Sequence, residues 1–141
     1  MAQSTVETFA RSIVDRWGRG QSREALPEDR FDDRQPKVVL EPGDVGSLQE
    51  MLRWAHTDRQ PLLVRGGGTK LGWMPGGGRS RGSSDVVLST IRLNQDLDHC
   101  AGDLTVTASA GARLGTVNEM LAHQGQRLAL DPRCGDRATI G

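Results

Sequence analysis

The residues best suited to chemistry stand in one run, "RGGGTKLG", Arg65 to Gly72. Three consecutive glycines follow a short apolar stretch, "PLLV", and a cation stands on either side of them. Glycine brings no side chain to pack and loses the most conformational freedom on folding. What bare backbone can do is turn several N–H groups toward one point. Such a concavity binds anions, phosphates above all. Arg65 and Lys70 stand where they could add charge-assisted hydrogen bonds. A diphosphate suits this chemistry. The competing reading is a plain surface loop, because glycine punctuates ordinary loops as well.

Three better-known patterns come close in spelling and fail in context. A P-loop starting at Gly67 reaches Gly72, but Trp73 occupies the position that needs lysine. A G-x-G-x-x-G fingerprint starting at Gly66 and Gly68 meets Leu71 instead of its last glycine. Both motifs also need a helix directly after the loop, and no helical pattern follows. "GRSRG", Gly78 to Gly82, spells a nucleophile elbow around Ser80. An elbow sits between a strand and a helix, whereas glycines precede this one and a strand pattern follows it.

The elements that must position the loop are legible from periodicity. Val6, Phe9, Ile13, Val14 and Trp17 recur at helical spacing. Ser4 is placed as the N-cap, with Glu7 as its capping-box partner, and Gly18 as the stop. "RGQSREALPEDRFDDRQP" then reads as a polar linker or extended arm. "KVVL" is a strand, Asp44 caps a helix with Leu48, Met51, Leu52 and Ala55 on one face, and "PLLV" is the next strand. Strand, helix and strand in this span form a βαβ unit, whose two strands should be parallel. "DVVLS" and "DLTVTASAG" are further strands. Leu114, Val117 and Leu121 mark a short helix stopped by Gly125, and "RLAL" reads as a last strand.

Composition excludes several classes. The chain has 141 residues, enough for one ordinary domain. Its formal net charge is zero, and its aromatic residues are three Trp, two Phe and no Tyr. Neither a broad polyanion-binding surface nor a base-stacking platform is expected. No nucleic-acid partner follows. Cys100 and Cys134 form no CxxC pair, and no metal-ligand spacing accompanies them. The N-terminal stretch carries charges throughout, so it reads as neither a signal peptide nor a membrane span. A cytoplasmic location is the expectation.

Several segments together resemble one family. "VVLEPGDVGSLQEMLRWA", "PLLVRGGGTKLGW", "DVVLST", "LDHCAGDLTVTASAGARL" and "ATIG" stand in the order found in flavoproteins of the vanillyl-alcohol-oxidase/p-cresol-methylhydroxylase type. Within that type, the segments resemble the FAD-binding subunits of bacterial glycolate oxidases. The resemblance implies an α+β fold: the first subdomain of such an FAD-binding domain, a small sheet with a parallel βαβ unit flanked by helices. It implies residues 1–36 as a helix and linker, and 37–141 as the FAD-binding part.

The same resemblance implies that the loop at Arg65, Gly66, Gly67, Gly68, Thr69, Lys70, Leu71 and Gly72 holds the pyrophosphate of FAD through backbone N–H groups. It implies a second flavin-contacting segment with Pro132, Ala138, Thr139, Ile140 and Gly141. Some members attach FAD covalently through a histidine of a matching loop. Thr69 stands at that position here, so FAD is expected to be non-covalent. His56, His99 and His123 have no such context, and His56 and His123 are read as solvent-facing.

The implied activity is oxidation of a 2-hydroxy acid such as glycolate, with other subunits of a glycolate-oxidase-like complex as partners. The family's sequence normally continues beyond "ATIG" into a second FAD subdomain and a substrate domain. These 141 residues therefore read as a portion truncated before that second subdomain, and no catalytic residue is assigned. The alternative is a catalytically silent fragment or assembly module that keeps half of the FAD site.

Overall fold

The structure, a computed structural model, describes residues 2–31, 35–71 and 84–141, with the side chains of α1 described from residue 7 onward. It divides into two compact units. The first comprises residues 1–64 and 70–89, and the second residues 65–69 and 90–141. The "GRSRG" stretch around Ser80 lies outside the described residues, as does Gly72. The fold is mixed α+β with three α-helices among the described residues.

In the first unit, helix α1 spans Ala2–Trp17. It starts before Ser4, which is therefore a helical residue and not the N-cap. Water can serve the first N–H groups of such a helix. The stop at Gly18 is as expected: φ is +75°, and its N–H bonds to the Val14 carbonyl at 2.8 Å. Helix α2 spans Val45–Thr57 and is capped by Asp44, whose carboxylate accepts the Ser47 N–H at 2.8 Å and the Ser47 hydroxyl at 3.0 Å. Its buried residues are Met51, Trp54 and Ala55, while Leu52 is 44% exposed. Trp54 draws the buried arc around the helix and leaves Leu52 on its shoulder.

The sheet contains β1 (Ser22–Glu24), β2 (Val38–Leu40), β3 (Leu62–Arg65) and β4 (Val86–Ser89), in the order β1-β2-β4-β3. Thus β4 lies between the two strands of the expected βαβ unit. It is β4 that pairs with β2 in parallel, Val38 opposite Val86 and Leu40 opposite Leu88. These four residues pack with Ala10, Ile13, Met51, Trp54 and Ala55. Val39 and Val87 point to the opposite face and are also fully buried. Burial on both faces explains why these strands read as unbroken apolar runs.

The stretch read as a linker contributes β1, paired antiparallel with β2, and a 3-10 turn at Pro27–Asp29. Two bonds from Arg23 hold the buried Asp29 carboxylate, at 2.6 and 3.0 Å. The Leu26 N–H donates to the same carboxylate at 2.8 Å, and Arg23 Nε lies 3.3 Å from Glu41.

In the second unit, β5 (Leu97–Cys100) and β6 (Thr105–Ala108) pair antiparallel through a 3-10 turn at Ala101–Asp103. Helix α3 spans Leu114–Ala122. Ala112, Val117 and Leu121 form a small core with Leu97, Val106, Ala108, Met120 and Leu128. "RLAL" is not a strand: the Asn118 side-chain carbonyl takes the Leu128 N–H at 2.8 Å, and Leu130 is exposed. An alternating pattern cannot become a strand without a backbone partner.

Two predictions follow from this unit-by-unit packing. Arg23→Ala removes the guanidinium from a buried carboxylate and should lower stability by on the order of 3 kcal/mol, read as a shift in urea midpoint. Arg23→Lys should recover only part of it, because an ammonium cannot fork onto both oxygens. The Ser47 N–H, followed by the Ser47 hydroxyl, holds the Asp44 carboxyl below its ordinary 3.8. A lowered folded-state pKa means the cap's contribution is full above 3.8 and disappears as pH falls through the lower folded value. The Tm gap between the wild type and Asp44→Ala should therefore be present at pH 7 and close in that acidic window.

Candidate functional site

The candidate site is built inside the second unit, from the end of β3 and the segment 138–141. The Arg65 carbonyl closes β3 by accepting the Thr90 N–H at 2.8 Å and the Thr90 hydroxyl at 3.3 Å. Gly66, Gly67 and Gly68 follow, all half-buried. Gly68 has φ +71°, a left-handed conformation that glycine adopts without steric penalty.

Residues 138–141 run extended beside residues 110–114. The Leu114 N–H donates to the Ala138 carbonyl at 3.0 Å, the Ile140 N–H to Ala112 at 2.9 Å, and the Gly141 N–H to Ala110 at 2.8 Å. Arg113 and Thr139 form an antiparallel bridge. The first of these bonds satisfies an N–H at the start of α3, one of the groups a helix cannot serve by itself.

The two segments then meet. The Gly67 N–H donates to Thr139 Oγ1 at 2.9 Å, and that hydroxyl donates to the Gly141 carbonyl at 2.6 Å. A Cβ on Gly66 would overlap the Gly141 carbonyl oxygen and Thr139 Oγ1. On Gly67 it would overlap the Arg137 carbonyl oxygen. Bare backbone is thus required for this loop to lie against its partner. Gly111 repeats the device on the other side of the 110–114 segment, packed against the Thr90 and Ile91 carbonyls.

Of the residues singled out from the sequence, Gly66, Gly67, Thr139 and Gly141 are brought together. Ala138 is buried and Ile140 exposed, on either side of Thr139. Arg65 and Thr69 bound the loop within the same unit, whereas Lys70 and Leu71, both half-buried, belong to the first unit. Pro132 stands apart, half-buried before the turn at 133–137, with its carbonyl toward Gly135. His56 and His123 are exposed, and His99 Nε2 bonds to the Gln126 side-chain oxygen at 2.8 Å. Sequence reasoning gave no role to Thr90 or to Ala110 and Ala112, which supply the backbone scaffold. The run of small residues around Gly111, "ASAGA", was their signal.

The loop's chemistry is that of a donor surface. Residues 65–71 contain two cations and no carboxylate. Among the described residues, no partner takes the N–H of Gly66 or Gly68. Half-buried N–H groups of this kind can hold anionic oxygens.

Comparison with known proteins gives this geometry a context. A family model described as an FAD binding domain matches residues 36–141. The chain belongs to this family. Its FAD binding domain is of the p-cresol-methylhydroxylase type, and the structure matches the N-terminal part of such domains. A D-2-hydroxyglutarate dehydrogenase from Xanthomonas citri pv. viticola is 30% identical over 128 residues, 91% of this chain. The chain spans only about a quarter of that relative's length, 25%.

Among solved structures, an alkyldihydroxyacetonephosphate synthase matches with a TM-score of 0.72 at 18% identity, over 96% of this chain and 28% of that one. A cholesterol oxidase from Brevibacterium sterolicum matches with a TM-score of 0.59 at 22% identity, over 86% of this chain and 22% of that one. These two likenesses are of fold. No helix among the described residues of this FAD binding domain is long and apolar enough to cross a membrane.

The close approach of the loop generates a stability prediction. Gly66→Ala and Gly67→Ala should each destabilise the domain by about 1–3 kcal/mol, the usual effect of overpacking. Gly115→Ala, whose Cβ would meet nothing within 4 Å, should be neutral or slightly stabilising. Thermal melts of the three variants check the contrast.

Proposed function

We propose that this FAD binding domain serves a flavin-dependent oxidoreductase that oxidises a 2-hydroxy acid. The observation that carries the reading is the contact between the glycine loop and the 138–141 segment, Gly67 N–H to Thr139 Oγ1 at 2.9 Å. Two segments that the family resemblance assigns to one cofactor lie together here. The N–H groups of Gly66 and Gly68 and the absence of any carboxylate in residues 65–71 fit the diphosphate of FAD.

In this reading the backbone at Gly66, Gly68 and Thr69 would hold the diphosphate, with Arg65 and Lys70 balancing its charge. Leu71, Gly72 and Pro132 complete the set carried over by resemblance. Ala138, Ile140 and Gly141 would border the flavin side. Bound FAD would supply the hydride acceptor, and the chain's part is to bind and orient it. Thr69 offers no nucleophilic imidazole for a covalent link, so the attachment is non-covalent.

The substrate class draws on the 2-hydroxyglutarate named for the relative and on the resemblance of the quoted segments to glycolate oxidase subunits. Glycolate is the specific substrate proposed, with partner subunits as in such oxidases and a cytoplasmic location.

A folded protein carrying this domain together with a second FAD subdomain should quench flavin fluorescence saturably, with ATP a poor competitor, whereas these 141 residues, holding half of the site, should bind FAD weakly or not at all. Denaturation should release all of the flavin. A two-subdomain protein that is folded by circular dichroism and never quenches FAD would overturn the reading. In a flavin-loaded holoprotein, glycolate should bleach the flavin absorbance faster than 2-hydroxyglutarate.

A further inference from the structure

We propose that Thr139 is a positioning residue: its hydroxyl sets the glycine loop and makes no hydrogen bond to the ligand that the loop holds. The argument starts from the hydroxyl's inventory, which is one hydrogen and two lone pairs. The hydrogen goes to the Gly141 carbonyl at 2.6 Å. One lone pair takes the Gly67 N–H at 2.9 Å. Only acceptor capacity is left, and the oxygens of a diphosphate are acceptors too. Thr139 cannot donate to such a ligand without releasing Gly141.

The space around the hydroxyl supports the same role. Thr139 Oγ1 lies where a side chain on Gly66 would have to go. The missing Cβ of Gly66 therefore makes room for the hydroxyl, which fixes the next amide. Three adjacent glycines lose much conformational freedom on ordering. A side-chain hydrogen bond to the middle one lowers the number of states the loop must give up when it binds. The Gly67 N–H is then a structural donor, and binding falls to its neighbours in the loop.

The ligand arm of this inference rests on the reading of the loop as the FAD diphosphate site, whereas the clasp itself does not. Amide hydrogen exchange by NMR on the wild-type chain tests the clasp directly. Gly67 should exchange more slowly than Gly66 and Gly68, and equal rates overturn the proposal. Thr139→Val keeps the shape and removes the hydroxyl, whereas Thr139→Ser keeps the hydroxyl. Thr139→Val should speed Gly67 exchange about tenfold, the loss of roughly one hydrogen bond, with Val117 and Leu121 in α3 still protected. Thr139→Ser should match the wild type.

FAD titration of the two-subdomain protein gives the second readout. Thr139→Val should weaken FAD about tenfold, and Thr139→Ser should leave it within about threefold of wild type. If Thr139→Val abolishes FAD binding while Gly67 exchange is unchanged, the hydroxyl acts on the ligand and the proposal fails. If Thr139→Val unfolds the chain, the wild-type exchange rates still decide. If the wild type ignores FAD, the cofactor reading falls and the exchange data decide the clasp alone.

Discussion

The second unit depends on a close approach of backbone to backbone, into which the Thr139 hydroxyl is admitted. Gly66 and Gly67 lie against residues 137–141, and Gly111 lies against the Thr90 and Ile91 carbonyls. Interiors elsewhere are held apart by side chains that fill the gap. Here the gap is closed by removing them. Close contact brings carbonyls and N–H groups within reach, so hydrogen bonds must take over from packing. The bonds from residues 138–141 to residues 110–114 and from Gly67 to Thr139 do so.

The first unit uses the opposite strategy. Its central strands are β-branched or leucine and buried on both faces, and two helices close over one of them. The buried carboxylate of this unit enters in paired form. In the Arg23–Asp29 fork it is 1% exposed and is met by a guanidinium and a backbone N–H. A hydrophobic core and a bare-backbone scaffold thus occur in one chain.

These contrasts explain what the sequence could reveal. Periodicity exposes β2, β3, β4 and β6 and all three helices, because each carries an apolar face. It misses β1, whose residues Ser22, Arg23 and Glu24 are polar and held by an edge ladder and an ion pair. It misses β5, where Leu97 is the only large apolar residue. It overreads "RLAL", which alternates properly but finds no strand partner. The strand order was also hidden, since no local pattern says that β4 inserts between β2 and β3. For the site, glycine density shows that bare backbone is needed but not what it lies against. The pairing of Gly67 with Thr139 spans the sequence without any periodic signal, and only family resemblance placed both segments in one site.

That span also bears on the order of folding. Gly67 and Thr139 are 72 residues apart. At about 5–20 residues per second, the ribosome adds the hydroxyl several seconds after the loop that needs it. The βαβ elements of the first unit, by contrast, have their partners within reach by Ser89. During synthesis the sheet can form while the glycine loop still lacks its anchor. The bare backbone at Gly66 and Gly67 therefore waits, during synthesis, on a partner made long after it.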